Sequence, residues 1–391
     1  MTPAARVQAA IEILDLIIAA ARSNGAPADR IVAEWFKTRR FAGSGDRRAV
    51  RDLVFRAIRA CGEVPPSGRA AMLLLARDDT ALTALFDGSS HAPAAIMPSE
   101  PVAEGGFAPA WLANALAESA IPENEAVALL ERAPLDVRVN TLRAGRSELP
   151  PGGERTLAPD GWRYPYGTRI EDSLAWHEGV LEVQDTGSQF ACQAVGAQPG
   201  ESIIDLCAGA GGKTLALAAA MDGTGRLLAT DTDRGRLSRL PARAERAGVH
   251  AIETRLLDPG REREALSDWI GKADAVLVDA PCSGTGTWRR NPEARWRLTP
   301  GQLDRYVAVQ ARLLDLAASL VQPGGRLVYV TCSLLDAEGP RQARAFLDRH
   351  GAAWKAESPI LPAGMPRGAG WRLSPYHDGT DGFFIARFRA L

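Results

Sequence analysis

The chain has 391 residues, which is too many for one ordinary domain, so we expect two or three domains. Hydrophobic residues make up 46% of it, enough for substantial cores, and its formal net charge of -1 argues against a general affinity for polyanions. Its five cysteines are odd in number and widely spaced, which predicts neither a disulfide framework nor a structural zinc site. The first apolar stretch carries Glu12 and Asp15, so we expect neither a signal peptide nor a membrane span, and predict a cytoplasmic protein.

The N-terminal region has the pattern of helices. Apolar residues recur there at intervals of three and four positions: Ala9, Ile13, Leu16, Ile17 and Ala20. Residues 1–60 contain eleven basic side chains against six acidic ones, which predicts a local basic surface on a neutral protein. Such a surface fits nucleic-acid contact, although a solvated helix face has the same composition. Residues 86–106 are rich in glycine, serine and proline and predict a linker.

Beyond the linker, the patterns change from helix to strand. Residues 135–142 alternate apolar and polar side chains, and strand-like pieces near 161–166 and 180–183 complete a small α+β subdomain. From Gly200 strands and helices alternate, with strand candidates at 202–206, 226–230, 251–257, 273–279, 326–331 and 383–388. Predicted helices lie at 213–221, 234–247 (where Pro241 is expected to kink or split the helix) and 299–320. This alternation predicts a doubly wound α/β domain with a mostly parallel sheet.

The stretch 205–214, DLCAGAGGKT, lies at the end of the first of these strands, and its pattern is typical of a nucleotide-type cofactor turn. A Walker A loop would need glycine at Cys207, and a dinucleotide fingerprint would need glycine at Thr214. The third interpretation is S-adenosylmethionine, with Asp231 after the second strand holding the ribose and Asp258 after the next accepting from the adenine amino group. An NAD site would also use an acid at Asp231, and such acids also cap helices, but two in register favour the cofactor interpretation.

Two cysteines directly follow strand candidates, Cys282 after 273–279 and Cys332 after 326–331. In an open parallel sheet both thiols would lie at the same edge, where such sheets hold ligands. A thiolate that adds to carbon 6 of cytosine or uracil activates carbon 5 for methylation. The carbon 5 proton must later be removed and the thiolate expelled, steps in which a second positioned group can take part. Asp279 is suitably placed to hydrogen-bond the pairing edge of the base. Two buried structural cysteines are the alternative, and the residues alone leave open which thiol attacks.

After the first cysteine, residues 285–297 interleave basic and aromatic side chains: Trp288, Arg289, Arg290, Arg295, Trp296 and Arg297. We interpret the segment as an RNA contact that neutralises phosphates and stacks on bases, with helix packing as the alternative. The target base must be flipped or already unpaired, and RNA loops offer unpaired bases at the lower free-energy cost.

At these residues the sequence resembles the RNA 5-methylcytosine methyltransferases, in particular the bacterial 16S rRNA cytosine-C5 methyltransferase B group of the Fmu/Sun superfamily. The motifs that carry the resemblance are DLCAGAGGKT, ATDTDRGRLSRL, VLVDAPCSGTGTWRRNPEARW, GGRLVYVTCSLLDAEG and DGTDGFFIARF. Two departures stand out: Gly209-Ala210-Gly211-Gly212 replaces the family's Ala-Pro-Gly-Gly, and Ala337-Glu338-Gly339 stands where Glu-Glu-Asn or similar is usual.

The resemblance implies a class I S-adenosylmethionine-dependent methyltransferase fold with a Rossmann-like doubly wound sheet. It also implies an all-α NusB-like RNA-binding domain at residues 1–92, a linker with connecting helices at 93–132, an RRM-like subdomain at 133–183 and the catalytic domain at 184–391. The implied activity is RNA cytosine-C5 methylation, with 16S rRNA as the expected substrate, RNA as the partner and a monomer as the oligomeric state. A tRNA-directed enzyme and a non-catalytic RNA-binding ribosome-assembly factor are the alternatives.

The resemblance also distinguishes the thiols. It implies that Cys332 is the nucleophile and that Cys282 assists product release, with Asp279 and Lys213 completing the catalytic set. The implied cofactor-binding residues are Cys207, Ala208, Gly209, Ala210, Gly211, Gly212, Lys213, Asp231, Asp258 and Asp279. No metal site is expected.

Overall fold

The computed structural model describes residues 1–23 and 25–391, and the chain divides into two units. The first comprises Met1–Glu131 and Thr287–Thr299, and the second comprises Arg132–Gly286 and Pro300–Leu391. The segment that follows the Cys282 turn therefore belongs to the first unit, although the sequence places it inside a continuous catalytic domain. No described helix is both long enough and apolar enough to cross a bilayer.

The first unit is helical, as the N-terminal periodicity predicts. Its first helix begins where Thr2 Oγ1 accepts a hydrogen bond from Ala5 N at 3.1 Å, and Pro3 occupies the first turn, where a missing N–H costs nothing. The buried face of that helix includes Ile13, Leu14 and Ile17. The helices of this unit are Pro3–Arg22, Ala28–Lys37, Ser44–Ala60, Gly68–Ala76, Thr80–Thr83, Ala110–Glu118, Glu123–Ala128 and Ala294–Arg297.

The second unit contains two sheets. Its strands are β1 (Leu135–Val139), β2 (Glu154–Arg155), β3 (Gly161–Tyr164), β4 (Leu181–Val183), β5 (Ser202–Asp205), β6 (Arg226–Asp231), β7 (Ile252–Leu256), β8 (Ala273–Asp279), β9 (Val321–Thr331), β10 (Trp354–Glu357), β11 (Met365–Arg367), β12 (Gly370–Leu373) and β13 (Phe383–Ala390). The small sheet is antiparallel in the order β2-β3-β1-β4. The NusB-like and RRM-like assignments of residues 1–92 and 133–183 stay predictions.

The large sheet has the order β11-β12-β13-β9-β8-β5-β6-β7, with β10 paired to β13. Strands β5 to β9 run parallel, and β13 joins β9 antiparallel. The predicted class I fold is confirmed, and so is the prediction that the two cysteines follow neighbouring parallel strands, β8 and β9.

Alternation along the central strands divides the core between the two faces of this sheet. Ile203 and Leu277 pack on one face, whereas their neighbours Ile204 and Val276 pack on the other. The helices of the unit are Leu174–His177, Thr186–Val195, Gly212–Ala220, Arg234–Leu237, Leu240–Ala247, Glu262–Ala265, Pro300–Leu320, Pro340–His350 and Pro375–Asp378. The predicted helix 234–247 is split in two, and Pro241 lies in the first turn of the second piece, where proline is tolerated.

Candidate active site

A cavity of about 770 Å³ opens at the carboxyl ends of the parallel strands. It is lined by residues 206–210 after β5, 231–233 after β6, 279–282 after β8 and Cys332 after β9. The helix Pro300–Leu320 supplies Arg305, Tyr306, Val309 and Arg312 to the same wall. Strand order reverses beside β5, and the crevice at such a reversal is where open α/β sheets bind ligands. Its volume suits a nucleotide-sized ligand.

The glycine-rich turn is tied to the end of β6 by a carboxylate. Gly209 N donates to Asp231 Oδ2 at 2.7 Å, and Asp233 N donates to Asp231 Oδ1 at 2.7 Å. Gly211 has a φ of +85°, and a Cβ there would lie 2.2 Å from Leu240 Cδ1, so the turn needs glycine at this position. Asp233, which accepts from Arg236 N, is the residue that caps the following helix. Asp231 therefore does not cap this helix, and it lies in the cavity wall.

The two thiols meet at the other end of the cavity. Cys282 Sγ lies 3.3 Å from Cys332 Sγ, and both side chains are half-buried. The hydrogen bond with Cys332, then burial, then the negative charges of Cys332 and Glu338 raise the pKa of Cys282 well above that of an ordinary thiol. The two sulfurs thus share a hydrogen bond in which either could be the donor, and the Cys282 thiol is harder to ionise than an ordinary thiol.

A close backbone approach fixes the turn that carries Cys282. Gly286 N donates to Cys332 O at 3.0 Å, and Gly286 O accepts from Gly382 N at 2.8 Å. A Cβ at Gly286 would lie 2.1 Å from Gly382 O, so only glycine permits this contact. The glycines of the motifs GTG and DGFF thereby hold the two cysteine turns and the start of β13 together.

Asp279 and Lys213 form a largely buried ion pair beside the thiols. Lys213 Nζ lies 2.6 Å from Asp279 Oδ2, and the two side chains are 13% and 29% exposed. Burial is the largest effect on the pKa of Lys213 and lowers it, but the charge of Asp279, its hydrogen bond and further neighbouring charges together outweigh burial and leave the pKa of Lys213 above its ordinary value. Lys213 is therefore charged, and its charge orients Asp279 in the cavity wall.

Residues 192–389, about half of the chain, match the family model described as 16S rRNA methyltransferase RsmB/F. The chain belongs to this family. The chain is 35% identical over 272 residues to the probable ribosomal RNA small subunit methyltransferase B of Synechocystis, a match that covers 65% of this chain and 60% of the relative. The chain spans less than two thirds of the length of the first curated relatives that it matches. The family is one of S-adenosylmethionine-dependent methyltransferases, which confirms the predicted cofactor class.

The solved structures that are similar to this chain include two with 26% identity. The crystal structure of PH0851 has a TM-score of 0.78 and 26% identity and covers 99% of both chains. That of a methyltransferase homolog protein from Pyrococcus horikoshii has a TM-score of 0.59 and 26% identity, and it covers 72% of this chain and 100% of its own. Both share the fold of this chain over the residues that they cover.

The sequence-predicted cofactor residues of this RsmB/F family member separate into two groups. Cys207, Ala208, Gly209, Ala210, Asp231 and Asp279 line the cavity. Its described wall does not include Gly211, Gly212, Lys213 or Asp258. Asp258 is exposed, and its neighbours Leu257 and Pro259 form that part of the wall. Burial raises the pKa of the Cys207 thiol well above its usual range, so Cys207 contributes shape to the wall rather than a reactive thiolate.

The interpretation of residues 285–297 as an RNA-stacking segment is wrong for its tryptophans. Trp288 and Trp296 are 0% and 5% exposed, and Trp296 packs in the core of the helical unit. Arg295 is fully buried and donates to Ile58 O and Cys61 O, each at 2.7 Å, at the carboxyl end of the helix Ser44–Ala60. The alternative, helix packing, is therefore the correct interpretation of the tryptophans. Burial removes the two indole rings from water, and the Arg295 guanidinium donates to carbonyls that lack partners within their helix.

Sequence reasoning missed several residues of the site. Arg243 donates to Ala210 O in the cofactor turn and to Glu182 Oε2, both at 2.7 Å. On the helix Pro300–Leu320, Arg305, Val309 and Arg312 recur at intervals of four and three, so they share one helix face. That spacing is a signal that could have predicted them, whereas nothing local to Arg243 indicates its partner.

Proposed function

We propose that this chain is an S-adenosylmethionine-dependent RNA cytosine-C5 methyltransferase that modifies ribosomal RNA, the substrate that the names of its family and curated relatives print. The observation that carries the proposal is the pair of sulfurs 3.3 Å apart, Cys282 Sγ and Cys332 Sγ, in the wall of a cavity that also holds Asp279. Alkylation of an amino group or a hydroxyl needs no thiol, whereas methylation at ring carbon 5 requires a nucleophile that first adds to carbon 6.

The residues present fit the cofactor. The turn approaches the cavity with backbone alone at Gly209, whose φ is +56°, and Asp231 presents a carboxylate whose oxygens each retain an acceptor position beside their backbone N–H partner. We assign the ribose hydroxyls to Asp231 and the adenine ring to the wall near Leu257 and Pro259. Bound there, S-adenosylmethionine would supply a methyl group carried on a sulfonium, and the rest of the cofactor would leave as a thioether.

In the first half of the reaction Cys332 acts as the nucleophile. As a thiolate, its sulfur, which lies 3.3 Å from Cys282 Sγ, forms a bond to carbon 6, and the carbon 5–carbon 6 electron pair moves to carbon 5, which then takes the methyl group. Asp279, oriented by its ion pair with Lys213, accepts a hydrogen bond from the amino group at the pairing edge of the cytosine. The charge of Lys213 stabilises electron density that shifts into the ring.

The second half of the reaction requires a base, and Cys282 is the nearest candidate. Once the Cys332 sulfur is bonded to carbon, its hydrogen bond with Cys282, the largest cause that raises the pKa of Cys282, is lost. Cys282 then loses its proton to solvent and takes the proton from carbon 5. The electron pair re-forms the carbon 5–carbon 6 bond, the sulfur–carbon bond breaks, and Cys332 returns as a thiolate.

We assign RNA contact to the basic surface that the sequence predicts within residues 1–60, rather than to the tryptophans of residues 285–297. Phe41 is 73% exposed, and the nearby Arg40, Arg47 and Arg48 are exposed or partly exposed as well. An exposed ring among cations combines base stacking with phosphate neutralisation, the chemistry that single-stranded RNA recognition uses. This surface replaces Trp288 and Trp296 as the aromatic part of the proposed RNA contact.

Incubating the protein with ribosomal RNA and labelled cofactor tests the proposed chemistry. Cys282→Ala should accumulate a protein–RNA adduct that persists on denaturing gels, whereas Cys332→Ala should give neither adduct nor product. Cys192→Ala, which removes a buried thiol outside the cavity wall, is the matched control and should methylate normally. Methylation by Cys332→Ala would refute the assigned nucleophile. Bisulfite sequencing of RNA from a deletion strain identifies the modified nucleotide.

A further inference from the structure

A fully buried carboxylate lies behind the two thiols. Glu338 is 0% exposed, in the Ala337-Glu338-Gly339 stretch that follows the second cysteine turn. Its carboxylate accepts hydrogen bonds from Ser283 N at 2.8 Å, from Ser333 Oγ at 2.5 Å and from Gln310 Nε2 at 3.1 Å. Ser283 Oγ donates to it as well. No basic side chain among residues 1–23 and 25–391 pairs with it.

Such a group is costly to bury, because an ionised carboxylate loses its hydration. Glu338 instead collects donors from both cysteine turns, since Ser283 directly follows Cys282 and Ser333 directly follows Cys332. The carboxylate thus accepts hydrogen bonds from both turns, whose serine oxygens Ser283 Oγ and Ser333 Oγ also lie 3.2 Å apart. This accounts for the serine after each cysteine, a repetition that the proposed chemistry does not use.

Neighbouring bonds make the connection rigid. Gln310 Nε2 also donates to Pro281 O at 2.9 Å, and Thr285 Oγ1 lies 3.1 Å from Ser333 Oγ. The backbone carbonyl of Glu338 accepts from Tyr329 Oη at 2.6 Å, which ties the residue to β9. Glu338 is therefore held from the strand side, while its carboxylate holds the two turns.

We propose that Glu338 is a positioning residue that sets the separation of the Cys282 and Cys332 sulfurs by binding both cysteine turns at once. Its consequence for methyl transfer rests on the proposed function, whereas its effect on the thiols does not. Glu338 is not among the residues that line the cavity and has no described hydrogen bond to either sulfur, so we infer that it acts through Ser283 and Ser333.

A test of the thiols alone uses the purified full chain without RNA. A diazene oxidant such as diamide takes two electrons and two protons from the thiol pair and closes a Cys282–Cys332 disulfide, while the oxidant is reduced to a hydrazine. Trypsin then releases the linked peptides 273–289 and 327–341, which mass spectrometry quantifies. In Glu338→Ala we expect closure to be slower by a factor of about 10 to 100, because misplacement of reacting groups by about 1 Å has effects of this size.

Glu338→Gln should restore closure to within about threefold of the unchanged protein. Its amide oxygen keeps the bonds from Ser283 N and Gln310, and its NH2 group donates to the serine oxygens, whose protons rotate away. Glu201→Gln, which removes a partly buried carboxylate paired with Arg326, is the control and should leave the rate unchanged. If Glu338 only stabilised the fold, Glu338→Gln would not selectively restore the rate of disulfide closure that Glu338→Ala lowers.

Methyl transfer provides the second readout. Glu338→Ala should lower kcat while leaving KM for the cofactor within about threefold, because Glu338 is not in the cavity wall. If Glu338→Ala fails to fold, Ser283→Ala and Ser333→Ala each remove one of the two turns from the carboxylate and should each slow closure. Normal closure in folded variants overturns the proposal whatever their activity. Slowed closure in a protein with no methyltransferase activity supports the positioning role and refutes the proposed function instead.

Discussion

Asp205→Asn is expected to flatten the pH dependence of stability in the unit that carries the sheet. The Asp205 side chain is fully buried at the end of β5, where Oδ2 accepts from Thr214 Oγ1 at 2.7 Å. Its Oδ1 has no hydrogen-bond partner among the described residues. Burial raises the pKa of Asp205 from 3.8 to about 7, an effect that the Thr214 hydrogen bond only partly opposes.

The sign and size of the effect come from proton linkage. Because the folded protein holds this proton more tightly than the unfolded chain, folding is most favoured at low pH, and the advantage is lost as pH rises from 3.8 toward about 7. Each pH unit in that window costs about 1.4 kcal/mol, so the ionised Asp205 lowers stability by about 4 kcal/mol above the window. An asparagine amide has no charge to bury and removes this dependence.

Urea unfolding followed by circular dichroism at about pH 5 and about pH 8 measures the difference. The stability gained by Asp205→Asn should be larger at the higher pH by about 3 kcal/mol. The control is Asp348→Asn, which changes a carboxylate that is 59% exposed, pairs with Arg344 and lies in the same unit. If Asp205→Asn and the unchanged protein show parallel stability profiles across this range, the buried carboxyl does not titrate as described.

Three further substitutions test other parts of the site. Lys213→Met removes the partner of Asp279 and should lower kcat by about 100-fold while leaving the cofactor Kd within about threefold. A lower kcat accompanied by an equally large rise in the cofactor Kd would contradict a role in activating the base. Arg243→Met removes the hydrogen bond to Ala210 O and should raise the cofactor Kd by about tenfold in titration calorimetry, with kcat at saturating cofactor unchanged. Phe41→Ala should weaken RNA affinity by about tenfold in filter binding, and an unchanged affinity would remove this ring from the RNA contact.

The sequence alone was enough to predict the parallel sheet, the cofactor turn and the placement of both thiols. These features depend on local patterns: apolar runs mark β5 to β9, and each cysteine lies within three residues of the end of its strand. Parallel strands bring the residues at their carboxyl ends to one edge of the sheet, so adjacency of Cys282 and Cys332 required only the correct strand order. The RsmB/F family resemblance was carried by the same segments.

Only the tertiary structure decided which charged and aromatic side chains face solvent and which are buried. An alternation of tryptophan and arginine is compatible with an RNA surface or with a packed interior, and Arg295 is buried because it meets carbonyls at Ile58 and Cys61, far away in sequence. The role of Glu338 was not predictable from the sequence either, because two of its donors, Ser283 and Gln310, lie 55 and 28 residues away in the chain. Burial and hydrogen-bond partners depend on contacts between distant segments, and such contacts also raise the pKa of Cys282 through its hydrogen bond with Cys332 and its burial.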